Sequence, residues 1–408
     1  MNRRAMLLGA GGLALTARLP VAAATLPPPR IALGDDVFLR DTWRELAGRR
    51  VGIVTNQTGV TAKLESIVDA VRRNPAIALR AIYSPEHGLR GDRPAGATVA
   101  SYADERSGLP VYSLYGATRR PTAAMLESVD VLLFDIQDVG SRAYTFISTM
   151  AEVMQAAHTF DKEVWILDRP NPIGGTVEGP VLDPRFASFI GLYPIAMRHG
   201  MTVGELATLF NDRFGIGCRL RVIAMEGYSR TMLWPQTGLD WVPSSPNIPH
   251  WLTALFYVGT GLIDNAGVNN GVGTTEPFEL AGGDGLDGER LAAALNDRSV
   301  PGIFFRPAAW SPLFGFWKGH TLRGVGLVAT DPAAAHAVRA AVEILVAVRR
   351  IAPHQIVVRK PEALDRDWGT DSLRHGLLAG ADADALEAGW AAGVARFEAA
   401  RKPYLLYD

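Results

Sequence analysis

Apolar residues in the first half of the chain fall into short unbroken runs, and the stretches between them carry helical spacing. Residues 50–55 (RVGIVT), 79–83 (LRAIY), 129–136 (VDVLLFDI) and 164–168 (VWILD) are such runs, with a smaller one at 111–114. Continuous apolar runs of this length match strands buried on both faces of a parallel sheet. Residues 39–46, 64–73, 121–128 and 144–159 repeat their apolar positions at the helical period. Strands alternating with helices predict an α/β fold built on a doubly wound parallel sheet. Beyond residue 191 the texture changes. Helices are expected at 200–210, 333–351 and 383–402, and strands at 220–225, 302–307 and 321–330. The first of these helices opens on a capping box, Thr202 with Glu205 three residues on. This half reads as a mixed α+β domain. The expected division is a first domain over 31–185 and a second over 190–408.

The polar clusters fall at one kind of place. Asn56, Glu86, Asp138 and Asp168 each follow an apolar strand almost directly. In a parallel sheet those ends share one edge, and ligands bind outside it. The segment IYSPEHGLRGD is the most pointed case, because it sets a carboxylic acid, Glu86, and an imidazole, His87, where a strand becomes a loop. Gly140, just after Asp138, lets the chain turn there.

Composition narrows the partners. Of 408 residues, 48% are hydrophobic, and 41 Lys and Arg balance 42 Asp and Glu to a formal charge of −1. No long basic run is present, so nucleic acid is not an expected partner. Residues 1–24 (MNRRAMLLGAGGLALTARLPVAAA) read as an export signal, with an arginine pair, a mild apolar core and a small-residue cleavage site. The arginine pair suggests the twin-arginine route and a periplasmic or otherwise exported protein. Cleavage removes three arginines and no acid, taking the charge from −1 to −4. A proline-rich spacer, TLPPPR, follows. No later apolar run reaches the ~20 residues of a membrane span. The single cysteine, Cys218, rules out an intrachain disulfide and a cysteine zinc site, and its apolar setting reads as a buried thiol. No GxGxxG opens a helix after the first strand, and GxxxxGK[ST], GxSxG and HExxH are missing. Neither a cofactor nor a metal is expected.

SPEHGLRGD, DVLLFDIQDVGSRAYTF, LDRPNPIGG with VEGPVL, RHGMTVGELA, PSSPNIP, GTTEPFE and ARKPYLLY together resemble the exo-β-N-acetylmuramidases of the NamZ type. The resemblance runs from about residue 39 to 408. It implies a Rossmann-like domain, a second α/β domain and a cleft between them. It implies release of N-acetylmuramic acid from the non-reducing end of peptidoglycan fragments, with Glu86 as the catalytic acid/base. One departure stands out. Where relatives carry an arginine before the GT pair, this chain has Val272 in NNGVG. If that arginine holds the substrate carboxylate, another cation must do so here, or another sugar is preferred.

Glycoside hydrolysis needs an acid for the leaving oxygen and stabilisation of an oxocarbenium-like centre. Glu86 fills the first role. Asp138 or Asp135 fills the second, unless the 2-acetamido group of the sugar attacks C1 itself. Glu178 and Glu276 sit in motif loops and serve as sugar ligands or as that second carboxylate. A lactyl carboxylate suits a bidentate arginine, with Arg142, Arg169, Arg198 and Arg90 as candidates. Asn56, His87, Tyr144, Asn171 and Asn247 are candidate ligands for the sugar, the last two held by flanking prolines. Two other classes compete: a two-lobed muropeptide-binding protein without catalysis, and a hexosaminidase of different sugar specificity. An amidase or esterase ranks behind them, for want of a serine elbow, a usable cysteine or a metal motif.

Overall fold

The computed structural model describes residues 31–315 and 317–408; the expected export signal and spacer lie outside the described residues. The chain runs α1 (Gly34–Arg40), β1 (Arg50–Thr55), α2 (Ile67–Arg72), β2 (Ala78–Ser84), the short β3 (Tyr102–Ala103), β4 (Pro110–Ser113), α3 (Ala123–Leu126), β5 (Val131–Asp135), α4 (Phe146–Thr159) and β6 (Glu163–Leu167). It continues through β7 (Glu178–Val181), β8 (Ala196–Arg198), α5 (Val203–Arg213), β9 (Arg219–Ile223), α6 (Trp234–Thr237) and α7 (Trp251–Thr260). The second half holds β10 (Leu280–Asp284), α8 (Gly288–Asn296), β11 (Ile303–Trp310), β12 (Leu322–Ala329), α9 (Ala337–Ile351), α10 (Pro361–Trp368), α11 (Ser372–Ala379) and α12 (Ala383–Arg401).

Seven strands form the main sheet in the order β3-β4-β2-β1-β5-β6-β9. All pairs are parallel except β3 with β4. The chain starts in the middle, winds outward through β2, then returns to place β5 on the other side of β1. The strand order therefore reverses at β1, and the carboxyl ends of β1, β2 and β5 surround that point. Successive residues serve opposite faces. Val51, Ile53, Val131 and Leu133 pack with Phe38 of α1 and Ile67 and Val71 of α2. Val54, Leu132, Phe134 and Ile166 pack with Met150 and Met154 of α4 and Leu206 and Phe210 of α5. Burial on both faces explains why these strands read as unbroken apolar runs.

The first unit extends past the division expected at 185–190. β9 adds to β6 over Arg219–Ile223, and α5 covers the same face as α4. The loops carrying β7 and β8 are an excursion between two strands of one sheet, which polar loop texture alone does not distinguish from a domain boundary. The second unit is a three-stranded antiparallel sheet, β10-β12-β11, with α7, α8 and α9 packed in the same core. The C-terminal residues return to the first unit. Tyr407 donates its hydroxyl to Asp168 Oδ2 at 2.7 Å, and Leu406 N–H donates to Glu205 Oε1 at 2.7 Å. No helix among the described residues is long and apolar enough to cross a membrane.

Candidate active site

Glu86 lies two residues past the end of β2, where His87 (φ 69°) and Gly88 (φ 76°) both enter the left-handed region. For a histidine that backbone state is uncommon, and such strain clusters at functional loops. His87 Nδ1 contacts the Arg93 carbonyl at 2.8 Å, and its ring meets Phe146 edge-on at 6.5 Å. His87 thus pins the loop. Glu86 is only 8% exposed, and both of its carboxylate oxygens are held. Oε1 accepts from Gly96 N–H at 2.7 Å, and Oε2 accepts from Thr145 Oγ1 at 2.7 Å. Thr145 is the N-cap residue of α4, yet its hydroxyl makes no cap bond and serves Glu86 instead. The start of that helix therefore faces the carboxylate, an orientation that favours an acidic group.

Next to Thr145, Tyr144 begins a cluster of buried aromatic rings. Tyr144 donates to Ser244 Oγ at 2.8 Å and packs edge-on to Phe146 at 4.7 Å and Tyr257 at 5.6 Å. Burial raises the pKa of both tyrosines, and the carboxylates of Glu86 and Asp138 add to the rise in each. Asp138 Oδ2 accepts from Gly140 N–H at 2.7 Å and lies 3.6 Å from His199 Nε2. His199 Nδ1 accepts from Met201 N–H at 3.2 Å, so the proton of a neutral ring sits on Nε2, towards Asp138. Asp138 Oδ1 is buried without a protein partner among the described residues, as are Asn56 Nδ2, Ser84 Oγ, Gln137 Oε1, Ser141 Oγ and His199 Nε2. Buried polar atoms are normally paired, so this concentration after β1, β2, β5 and β8 marks polar space built for something other than packing.

The second unit supplies another wall. Tyr257 packs edge-on to Phe278 at 4.9 Å, and Phe278 itself has φ 64°. Glu276 in this loop pairs with Arg306 at 2.9 Å and is 47% exposed. Glu279 accepts from Thr253 at 2.6 Å and lies 3.3 Å from His250; burial raises its pKa. Val272 packs against the apolar core and brings no charge.

Several expected ligands are occupied elsewhere. Asp135 and Arg169 form a fully buried ion group. Arg169 donates to Asp135 Oδ1 at 2.5 Å, to Asp35 Oδ2 at 2.9 Å and to the Val60 carbonyl at 2.9 Å. Burial raises the pKa of Asp135 against the pull of Arg169. A carboxylate inside the sheet with its own guanidinium is a structural group, which corrects the expectation of catalysis for Asp135 and of substrate binding for Arg169. Arg142 donates to the carbonyls of Pro180, Ile195 and Asp367 at 2.7, 3.3 and 3.1 Å, and burial lowers its pKa to about 10. Arg198 donates to Ile173 and Ala335 carbonyls at 2.6 and 2.9 Å and pairs with Glu178 at 3.3 Å. Glu178 also lies 3.0 Å from His336 Nδ1. Arg142, Arg198 and Glu178 thus tie loops together, with the terminal guanidinium nitrogens spent on carbonyls and on Glu178. Asn171 is likewise satisfied, donating to Met201 O and accepting from Ile173 N–H, both at 3.1 Å. Arg90 pairs with Asp104 at 2.8 Å and lines a 190 Å³ pocket with Asn56. Asn56 Oδ1 caps its own turn, accepting from Thr58 N–H at 2.9 Å. Asn247 is half-buried, and its N–H donates to Ser245 Oγ at 3.2 Å. Cys218 is buried and free, its thiol pushed up to about 11.

Thr145, His199, Ser244, Tyr115 and Tyr257 escape a reading of residue types. Thr145 and His199 each stand beside a residue singled out from the sequence. Tyr257 sits in a helix that reads as plain core, WLTALFYVGT.

Both halves of the chain have known relatives. Residues 51–252 match the family described as exo-beta-N-acetylmuramidase NamZ, N-terminal, and residues 255–407 match its C-terminal counterpart. The chain is 41% identical over 384 residues to the peptidoglycan beta-N-acetylmuramidase NamZ of Bacillus subtilis (strain 168), covering 94% of this chain and 93% of that protein. It is similar to the crystal structure of a DUF1343 family protein from Bacteroides fragilis NCTC 9343, with TM-score 0.88 and 37% identity over 94% of this chain and all of that one. A second DUF1343 family protein of that organism gives TM-score 0.75 and 28% identity, covering 93% of this chain and 99% of that one. With both family halves matched in order and the Glu86 loop at the edge where the strand order reverses, the chain belongs to the NamZ family of exo-β-N-acetylmuramidases.

Proposed function

We propose that this protein is an exo-acting glycoside hydrolase that releases N-acetylmuramic acid from the non-reducing end of peptidoglycan fragments. The observation that carries this reading is Glu86, a buried carboxylate fixed through both oxygens past the end of β2, with a second buried acid, Asp138, past the end of β5 on the same sheet edge. Glu86 is the proton donor to the leaving oxygen. Gly96 and Thr145 fix its rotamer, so its free lone pairs point in one direction. Asp138 is the second carboxylate. Its Oδ2 is anchored by Gly140, and its unpartnered Oδ1 is available to the oxocarbenium-like centre or to the acetamido N–H of the substrate. His199 Nε2 lies 3.6 Å from Asp138 Oδ2. Tyr144 and Tyr257, packed edge-on to each other, offer polar tips and apolar faces, as sugar rings require.

The arginine pair and apolar start of the chain support export, by the twin-arginine route, to the compartment where peptidoglycan lies. A binding protein without catalysis would need no fixed acid pair. Hydrolysis of a chromogenic β-N-acetylmuramide, beside the matching N-acetylglucosaminide, tests the reading. Release from the muramide supports it. Release from the glucosaminide alone moves the specificity, and silence on both, with muropeptide binding intact, leaves a binding protein.

A further inference from the structure

The arginines expected to hold the substrate's acid are consumed by carbonyls and buried carboxylates, as described for Arg142, Arg169 and Arg198. One cation near Glu86 is not. Arg119 lies in the loop between β4 and α3, with its guanidinium 4.3 Å from the ring centre of Tyr115 and 4.1 Å from that of Phe189. The two rings are themselves 5.9 Å apart. The guanidinium sits in the corner formed by the two tilted rings, and contact with both restricts its position. The next residue shows the contrast. Arg120 is spent on Glu152 at 2.5 Å, whereas no carboxylate pairs with Arg119 among the described residues.

Tyr115 connects this cation to the catalytic acid. Burial raises the pKa of its phenol, Glu86 adds to the rise, and Arg119 opposes it. Ser113 at the end of β4 pairs with Ser84 at the end of β2, and the Tyr115 carbonyl accepts from Val99 N–H at 2.9 Å, in the segment whose Gly96 holds Glu86, so Tyr115 and the guanidinium on its ring lie beside the Glu86 loop. That placement has a chemical meaning. In a pyranose, C1 and C3 are separated by a single ring carbon. A cation beside the acid that serves the oxygen on C1 is therefore in the neighbourhood of the substituent on O3. In N-acetylmuramic acid that substituent is a lactyl ether ending in a carboxylate, and it is the only difference from N-acetylglucosamine.

We propose that Arg119, held between Tyr115 and Phe189, binds the O3 lactyl carboxylate and thereby makes the site selective for N-acetylmuramic acid. This assignment rests on the muramidase reading of the Glu86 site. Arg119 is a specificity determinant and takes no part in proton transfer.

Titration calorimetry with free N-acetylmuramic acid, its lactyl carboxamide and N-acetylglucosamine tests it without relying on turnover. The wild-type protein is expected to bind the acid about 10- to 100-fold more tightly than either neutral sugar, the range for losing a charge-assisted hydrogen bond. Arg119→Ala should bring the three affinities together, and Arg119→Lys should restore part of the preference. In turnover, Arg119→Ala should raise KM for the chromogenic muramide at little cost in kcat and leave KM for the glucosaminide unmoved. Wild-type protein that treats acid and carboxamide alike overturns the proposal, with no variant needed. So does an Arg119→Ala variant that keeps the preference, or one that weakens all three sugars equally. Loss of hydrolysis with the binding preference intact would instead remove the muramidase reading and leave Arg119 in place.

Discussion

Replacing Arg169 with methionine separates a structural role from a substrate-binding one. The guanidinium is 3% exposed and lies between two carboxylates, those of Asp35 and Asp135, that are fully buried. It also satisfies the Val60 carbonyl at 2.9 Å. Methionine fills similar volume but leaves two acids facing each other without a counter-charge. Breaking a buried ion pair from one side costs about 3–5 kcal/mol. Set against a total stability of about 5–15 kcal/mol, that is a large fraction. The loss should carry a pH signature. Burial already raises the folded-state pKa of both acids above the ordinary value of 3.8, and Arg169 is the main group holding them down. Without it they fold most easily as neutral acids. Above about pH 4 the native state then binds more protons than the unfolded chain, so stability falls as pH rises. The deficit of Arg169→Met should be smallest near pH 4 and grow towards pH 7. Urea unfolding followed by circular dichroism across that range reads it, with Asp35→Asn/Asp135→Asn/Arg169→Met as the neutral control expected to recover most of the loss. An Arg169→Met protein with an unchanged unfolding midpoint and a raised KM for the muramide would refute the reasoning and return Arg169 to the substrate.

Three further outcomes follow from the same contacts. Thr145→Val removes one of the two donors on Glu86 and should lower kcat about 10-fold with KM nearly constant, measured on the chromogenic muramide; an unchanged kcat would remove Thr145 from the site. Asp138→Asn keeps the shape but not the charge and should cost about 10²-fold or more in kcat/KM, while a loss below about 3-fold would contradict its role as second carboxylate. Asp168 is held at about 6 by burial, so wild-type stability should fall by about 3 kcal/mol from this group as pH rises from 4 through 6, and Asp168→Asn should abolish that component of the urea-unfolding profile.

The elements that position the site are the ones most legible in the sequence. β1 occupies residues 50–55 as expected, and β5, β6 and α4 lie within two residues of their expected ends. Burial on both sheet faces writes itself as an apolar run, and Thr202 with Glu205 forms the expected capping box. β10 was not legible, because LAGGD reads as a turn. Its glycines are there for closeness: a Cβ on Gly282 would stand 2.2 Å from the Arg323 carbonyl oxygen of the neighbouring strand. The same reason hid the start of α1, where a Cβ on Gly34 would meet Asp168 N at 2.2 Å.

For the site, residue type gave position but not partner. Glu86 and Asp138 stand where the sequence places them, two and three residues past the ends of β2 and β5. Arg142, Arg169 and Arg198 carry the right chemistry, but their partners lie from 20 to 225 residues away in sequence, and only the fold shows that they are taken. The converse holds for Arg119, unremarkable in ATRRP, whose stacking partner Phe189 comes from a loop 70 residues later.

The most direct test is Glu86→Gln. The amide keeps the shape and the Thr145 contact but has no proton to give the leaving oxygen. The variant should bind N-acetylmuramic acid with wild-type affinity while kcat for the chromogenic muramide falls about 10²- to 10⁴-fold. Full turnover by Glu86→Gln would contradict the account at its centre.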